Sequence, residues 1–88
     1  MDAIRAMNNV PEGFGYSTKI VNRNDNADQT RLGVQLGKVC ISKGISVIEV
    51  ADYFKVTRQA VYNWFLGKSE PHGDNKEKAL DLIKRLTS

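Results

Sequence analysis

The chain has 88 residues, of which 41% are hydrophobic and 26% charged, and its formal net charge is +3. A chain of this size forms at most one small domain; it has no apolar run long enough for a membrane helix and no signal-peptide pattern at its start. Its one cysteine excludes an internal disulfide and a cysteine-based metal site, so we expect a cytoplasmic protein with no metal or other cofactor.

Residues 1–27 are predicted to form an N-terminal arm and linker of uncertain order. Phe14, Tyr16 and Ile20 would share one side of an extended chain, which is typical of a short strand. A lone strand is not stable, so the alternatives are disorder, pairing with a second chain or docking on the domain. The polar stretch 22–26 is typical of a linker.

A first helix is predicted from an N-cap at Asp28 to about Lys43, with Gly44 ending it. Gly33 and Gly37 each weaken such a helix by about 1 kcal/mol relative to alanine, unless they allow close helix packing. Its expected inward face consists of Leu32, Leu36, Val39 and Cys40.

Residues 46–67 are predicted to form two short helices joined by a tight turn. Ser46 and Glu49 have the spacing of a capping box, Thr57 is a natural N-cap for the second helix, and Gly67 suits a left-handed residue at its end. Helical periodicity gives the buried faces as Val47, Val50, Ala51 and Phe54, followed by Val61, Trp64 and Phe65.

A last helix is predicted from an N-cap at Asp74 to about Thr87, after a loop that contains His72. Its expected inward stripe is Ala79, Leu82, Ile83 and Leu86, with Leu80 as a candidate dimer contact. The predicted fold is therefore all-α, with four to five helices and a domain spanning residues 28–88.

The central segment resembles the helix-turn-helix of phage repressor and Cro proteins. The residues that carry the resemblance are Ala51, Phe54, Val56, Val61, Trp64 and the ending Leu66-Gly67-Lys68. Their spacing fits that family without a gap, although Lys55 stands where the family usually has glycine. A left-handed lysine there would cost roughly 1 kcal/mol. The resemblance implies a repressor-like domain that binds double-stranded DNA as a homodimer on a two-fold operator.

The outward residues of the second helix are candidates for reading base edges in the major groove. Arg58, Gln59, Tyr62 and Asn63 all carry hydrogen-bond donors and none is acidic. The resemblance places Arg58, Gln59 and Asn63 at base-reading positions. Arg58 suits guanine, whereas the amides suit adenine. Tyr62 could contact a thymine methyl group or a phosphate.

A second set of residues is predicted to contact DNA phosphates, which position a protein without specifying sequence. These residues are Lys43, Ser46, Thr57, Lys68 and Ser69. Ser46 is included because a helix N-terminus offers free N–H groups to an anion. Residues 31–68 contain six basic and two acidic side chains, which is consistent with a polyanionic partner.

Two other functions fit the same pattern. The chain could be a helix-turn-helix-shaped module that binds a host protein, such as RNA polymerase, through its N-terminal arm, or an excisionase-like DNA-bending protein. The arm could also reach DNA through Lys19 and Arg23. An enzyme is a poor fit, because the sequence offers no nucleophile and base pair and no phosphate-binding loop.

Overall fold

A computed structural model describes residues 16–88, which form five α-helices and no strand. The helices are α1 (Thr18–Asp25), α2 (Leu32–Ser42), α3 (Val47–Phe54), α4 (Arg58–Phe65) and α5 (Asp74–Thr87). α2 is central, because it packs against α1, α4 and α5, whereas α3 packs against α4. The predicted all-α class is confirmed for this part of the chain. Each of these helices is too short or too polar to cross a membrane.

The core is a single apolar cluster contributed by four of the five helices. Trp64 is only 6% exposed and meets Phe54 edge to face, with ring centroids 5.3 Å apart, so its predicted core position is confirmed. Burial raises the pKa of the Cys40 thiol to about 12, which keeps the thiol protonated at neutral pH. The cluster comprises Leu36, Cys40, Val47, Val50, Ala51, Phe54, Val61, Trp64, Phe65 and Ala79.

The ends of α4 form as the sequence predicts. At its start, Thr57 Oγ1 accepts a hydrogen bond from the Ala60 amide at 3.1 Å. At its end, Gly67 adopts a φ of 78°. This residue lets the Lys68 amide donate to the Asn63 carbonyl at 2.8 Å, which satisfies an otherwise unpaired carbonyl of the last turn.

The turn between α3 and α4 is tight because Lys55 adopts a left-handed conformation, with φ 59° and ψ 45°. The Val56 amide then donates to the Ala51 carbonyl at 3.0 Å, which ends α3 and redirects the chain into α4. Lys55 is the only non-glycine residue with positive φ between residues 16 and 88.

Replacing Lys55 with glycine is expected to stabilise the fold. A side chain in the left-handed region costs about 1–2 kcal/mol, and part of that gain is offset by the larger backbone entropy of glycine in the unfolded chain. We expect a net gain of about 0.5–1 kcal/mol in the free energy of unfolding, measured by chemical denaturation. Lys55→Ala removes the same charge but keeps the Cβ, so it should give no comparable gain.

Neither the possible strand, nor a disordered arm, nor the polar linker is found over residues 18–25, which are helical. Residues 18–25 form α1, and Ser17 Oγ caps it by accepting from the Ile20 amide at 3.2 Å. Asn24, predicted to lie in a polar linker, is 1% exposed. Its side-chain amide donates to the carbonyls of Phe65, at 2.7 Å, and Val34, at 3.2 Å. α1 is therefore anchored to the helical domain, while Phe14 lies outside the described residues.

The predicted N-caps of the first and last helices of the domain are also wrong. Asp28 Oδ1 instead accepts from the amide and hydroxyl of Thr30, at 3.0 and 2.6 Å, so it closes a local turn and α2 begins four residues later. Asp74 is the first residue of α5, and the N-cap is Gly73 with φ 61°, a conformation that glycine reaches without steric cost.

The N-terminus of α2 is capped from a distant loop. The carboxylate of Glu70 accepts hydrogen bonds from the amides of Leu32, at 3.3 Å, and Gly33, at 2.9 Å. A negative group at this position also complements the helix dipole. The cap joins the segment that follows α4 to the start of α2.

The two glycines of α2 allow the backbone of α4 to approach closely. A Cβ at Gly33 would lie 2.6 Å from the Trp64 carbonyl oxygen, and one at Gly37 would lie 2.6 Å from Phe65 Cγ. The side of α2 that contains these glycines faces α4. Val34 is fully buried as a result, whereas Val39, a predicted inward residue, is only half-buried. The sequence left open whether these glycines only weaken the helix or allow close helix packing, and the structure confirms close packing for both.

The inward stripe of α5 is largely as predicted. Ala79 is fully buried, and Leu82 and Ile83 pack against the core, whereas Leu80 is 49% exposed. Lys78 Nζ donates to the Tyr53 carbonyl at 2.7 Å, and this bond ties α5 to the end of α3.

Candidate nucleic-acid interface

The outward face of α4 carries three of the four predicted base-reading residues, whereas the fourth, Tyr62, packs partly against the core. Arg58 and Gln59 are exposed in its first turn, and Tyr62 and Asn63 are half-buried one turn later. Behind them, Val61, Trp64 and Phe65 are buried. Since the apolar side of α4 is held in the core, its polar side must face solvent.

A hydrogen bond joins two of these residues across one helical turn. Gln59 Nε2 donates to Asn63 Oδ1 at 3.1 Å. Gln59 therefore keeps its carbonyl oxygen and one amide N–H, the acceptor and donor that match N6 and N7 of adenine. Asn63 keeps its own amide N–H groups as donors. The pair orders Gln59 before any base is bound, which lowers the entropy lost on binding.

Three of the predicted DNA-contacting cations are not neutralised by any carboxylate in the described part of the chain. Arg58, Lys43 and Lys68 have no ion-pair partner among residues 16–88, whereas the Lys55 ammonium lies 3.9 Å from the Asp52 carboxylate. No carboxylate projects from α4 itself. The surface therefore favours a negatively charged ligand.

Four of the five predicted phosphate-contacting residues are exposed: Lys43, Thr57, Lys68 and Ser69. Thr57 Oγ1 accepts the capping bond, but its hydroxyl proton remains available to donate to a phosphate oxygen. Thr57 directly precedes the start of α4, and Lys68 and Ser69 follow its end by three and four residues. These residues flank the predicted base-reading face at both ends of the helix.

Ser46 is the predicted phosphate-contacting residue that the structure does not bring to this surface. It is 7% exposed, and its hydroxyl accepts from the Glu49 amide and donates to the Glu49 carboxylate, both at 3.1 Å. The same carboxylate accepts from the Ser46 amide at 3.3 Å. The capping box therefore places a negative charge where a phosphate would bind, and Ser46 has a structural role at this helix end.

Tyr16, just before α1, packs against the core at the C-terminal end of α4, which the sequence did not indicate. The Tyr16 ring is 5.9 Å from the Phe65 ring. The pKa of the Tyr16 hydroxyl is raised, mainly by burial and further by Cys40, Tyr62 and Glu49. This packing ties the start of α1 to the last residue of α4. No local signal predicts this, because Tyr16 and Phe65 are far apart in the chain.

In comparisons with known proteins, no family model matches the chain, and no curated protein or solved structure is significantly similar to it. Between residues 16 and 88, no group of three or more His, Cys, Asp or Glu side chains is arranged to hold a metal ion. The geometry and charge of α4 and its flanks are therefore the features that indicate a function.

Proposed function

We propose that the chain is a sequence-specific DNA-binding transcriptional regulator, a Cro-like repressor of phage or mobile-element type. It would act in the cytoplasm as a homodimer on a two-fold operator and repress by occupying promoter DNA. The observation that carries this proposal is the outward face of α4. It presents Arg58, Gln59 and Asn63 as donors and no carboxylate, and buried Val61 and Trp64 hold it in place.

The dimensions of α4 support this proposal. An α-helix with its side chains is about 10–12 Å across, and the major groove of B-DNA is about 12 Å wide, so α4 fits into the groove. The helix ends in exposed side chains that suit the two phosphate strands, with Thr57 before it and Lys68 and Ser69 after it. Base contacts in the middle and phosphate contacts at both ends are the usual division of a sequence-specific interface.

Selection of bound sequences from random duplex DNA tests the proposal directly. A homodimeric repressor should enrich a two-fold sequence whose half-sites are about 10–10.5 base pairs apart, or a multiple of that distance. Recovery of no preferred sequence would contradict the assignment. Recovery of a single half-site without two-fold symmetry would contradict only the proposal that the protein binds DNA as a dimer.

Lys68→Ala is expected to weaken binding to every duplex by a similar factor. Removing one phosphate contact should make the slope of log K against log salt shallower by about 0.9, because one fewer counterion is released. Titrations by fluorescence anisotropy at several salt concentrations measure both quantities. If wild-type binding does not weaken as salt rises, apolar binding to a protein partner becomes the better explanation.

A further inference from the structure

We propose that α1 is a second DNA-contacting element, whose Lys19 and Arg23 bind the phosphate backbone beside the groove that α4 enters. This inference rests on the proposed function and extends the interface to a helix outside the helix-turn-helix. The partner surface is the sugar-phosphate backbone, so the contact would add affinity without adding sequence preference.

The first supporting observation is that α1 is held rigidly against the domain. Asn24 donates to the Phe65 carbonyl at 2.7 Å, at the last residue of α4, and to the Val34 carbonyl of α2 at 3.2 Å. Asp25 pairs with Lys38 of α2 at 2.8 Å. Because α1 is attached at α4 and α2 together, its charged residues keep a defined position relative to the base-reading face.

The second observation is the charge on the outward side of α1. Residues 16–24 contain two basic side chains and no acidic one. Lys19 and Arg23, four residues apart, lie on the same flank of the helix, and both are exposed and without an ion-pair partner among residues 16–88. The nearest acidic residue in sequence, Asp25, lies on the other flank and is engaged by Lys38.

The third observation is where α1 begins. The Tyr16 ring packs against the core, 5.9 Å from the ring of Phe65, the last residue of α4. Lys19 follows Tyr16 by three residues, in the first turn of α1. The positive flank therefore starts beside the C-terminal end of α4.

The test compares Lys19→Gln/Arg23→Gln with wild type in the full chain, on the duplex recovered by selection and on an unrelated duplex of equal length. Each lost phosphate contact should lower the association constant at 0.1 M salt about eightfold and flatten the salt slope by about 0.9. The loss should be equal on both duplexes, so the ratio of their affinities stays constant. Circular dichroism should show wild-type helix content, because both side chains are exposed.

Two control variants test whether the loss of affinity depends on the location of the charges in α1 and on positive charge itself. Lys84→Gln/Arg85→Gln removes the same charges from the last turn of α5, whose main contact is with α2, and it should leave the slope unchanged. Lys19→Arg/Arg23→Lys keeps both charges and should retain wild-type affinity.

The inference is overturned by an unchanged slope in Lys19→Gln/Arg23→Gln, by an equal loss in the α5 control, or by a loss confined to the selected duplex. Failure of the proposed function would appear differently, as wild-type protein without sequence preference or salt dependence.

Discussion

Arg58→Ala and Gln59→Ala are each expected to reduce the preference for the operator over unrelated DNA by about 5-fold to 150-fold. A bidentate contact to a base edge contributes about 1–3 kcal/mol of discrimination against the wrong base, and both side chains are exposed in the first turn of α4. The measurement is the ratio of dissociation constants for the selected and unrelated duplexes at one fixed salt concentration.

Matched control variants distinguish the loss of a base contact from a general effect of lost charge or altered folding. Arg85→Ala removes an arginine from α5, and Gln35→Ala removes an exposed glutamine from α2; neither should change the ratio. Asn63→Ala should give a smaller effect than Gln59→Ala if its main role is to order Gln59 through their 3.1 Å bond. Wild-type discrimination in both Arg58→Ala and Gln59→Ala would refute the assignment of α4 as the reading helix.

Gly33→Ala is expected to lower the free energy of unfolding by about 2–3 kcal/mol. The added Cβ would lie 2.6 Å from the Trp64 carbonyl oxygen and 2.8 Å from Trp64 Cβ. A backbone atom cannot rotate away, so α2 and α4 must separate. The improved helix propensity of alanine returns only about 1 kcal/mol. For a domain of this size the loss corresponds to a fall in Tm of about 10–20 °C.

Ser42→Ala provides the comparison on the same helix, because Ser42 is exposed and its removal should change stability by less than about 0.5 kcal/mol. Thermal and chemical denaturation of the two variants give the difference. A Gly33→Ala variant as stable as wild type would show that α2 and α4 are not packed at the distance described here.

Much of the helix-turn-helix could be predicted because its signals are local. The Ser46 capping box, the Thr57 cap and the positive φ of Gly67 each involve residues within a few positions of one another. The periodicity that buries Val61 and Trp64 also determines which side chains of α4 face outward. Arg58, Gln59 and Asn63 therefore lie on the side that the sequence indicated, while their binding to DNA remains a prediction.

The structure changed the expected surroundings of three candidate DNA-contacting residues, Ser46, Lys19 and Arg23. Ser46 was assigned both a capping role and a phosphate contact, but its hydroxyl and the Glu49 carboxylate satisfy each other. Lys19 and Arg23 were predicted to lie on an arm of uncertain order, whereas the structure places both in α1.

The sequence by itself determined the helical class, the two helices around the turn at Lys55 and the outward residues of α4, since caps and periodicity act over a few residues. Only the tertiary structure decided the order of α1, the start of α2 and the contact of α2 with α4. Asn24 satisfies carbonyls 10 and 41 positions away, and Glu70 caps a helix 37 and 38 positions earlier. A polar side chain becomes a core anchor only when a distant backbone carbonyl needs a donor, and no local pattern carries that information.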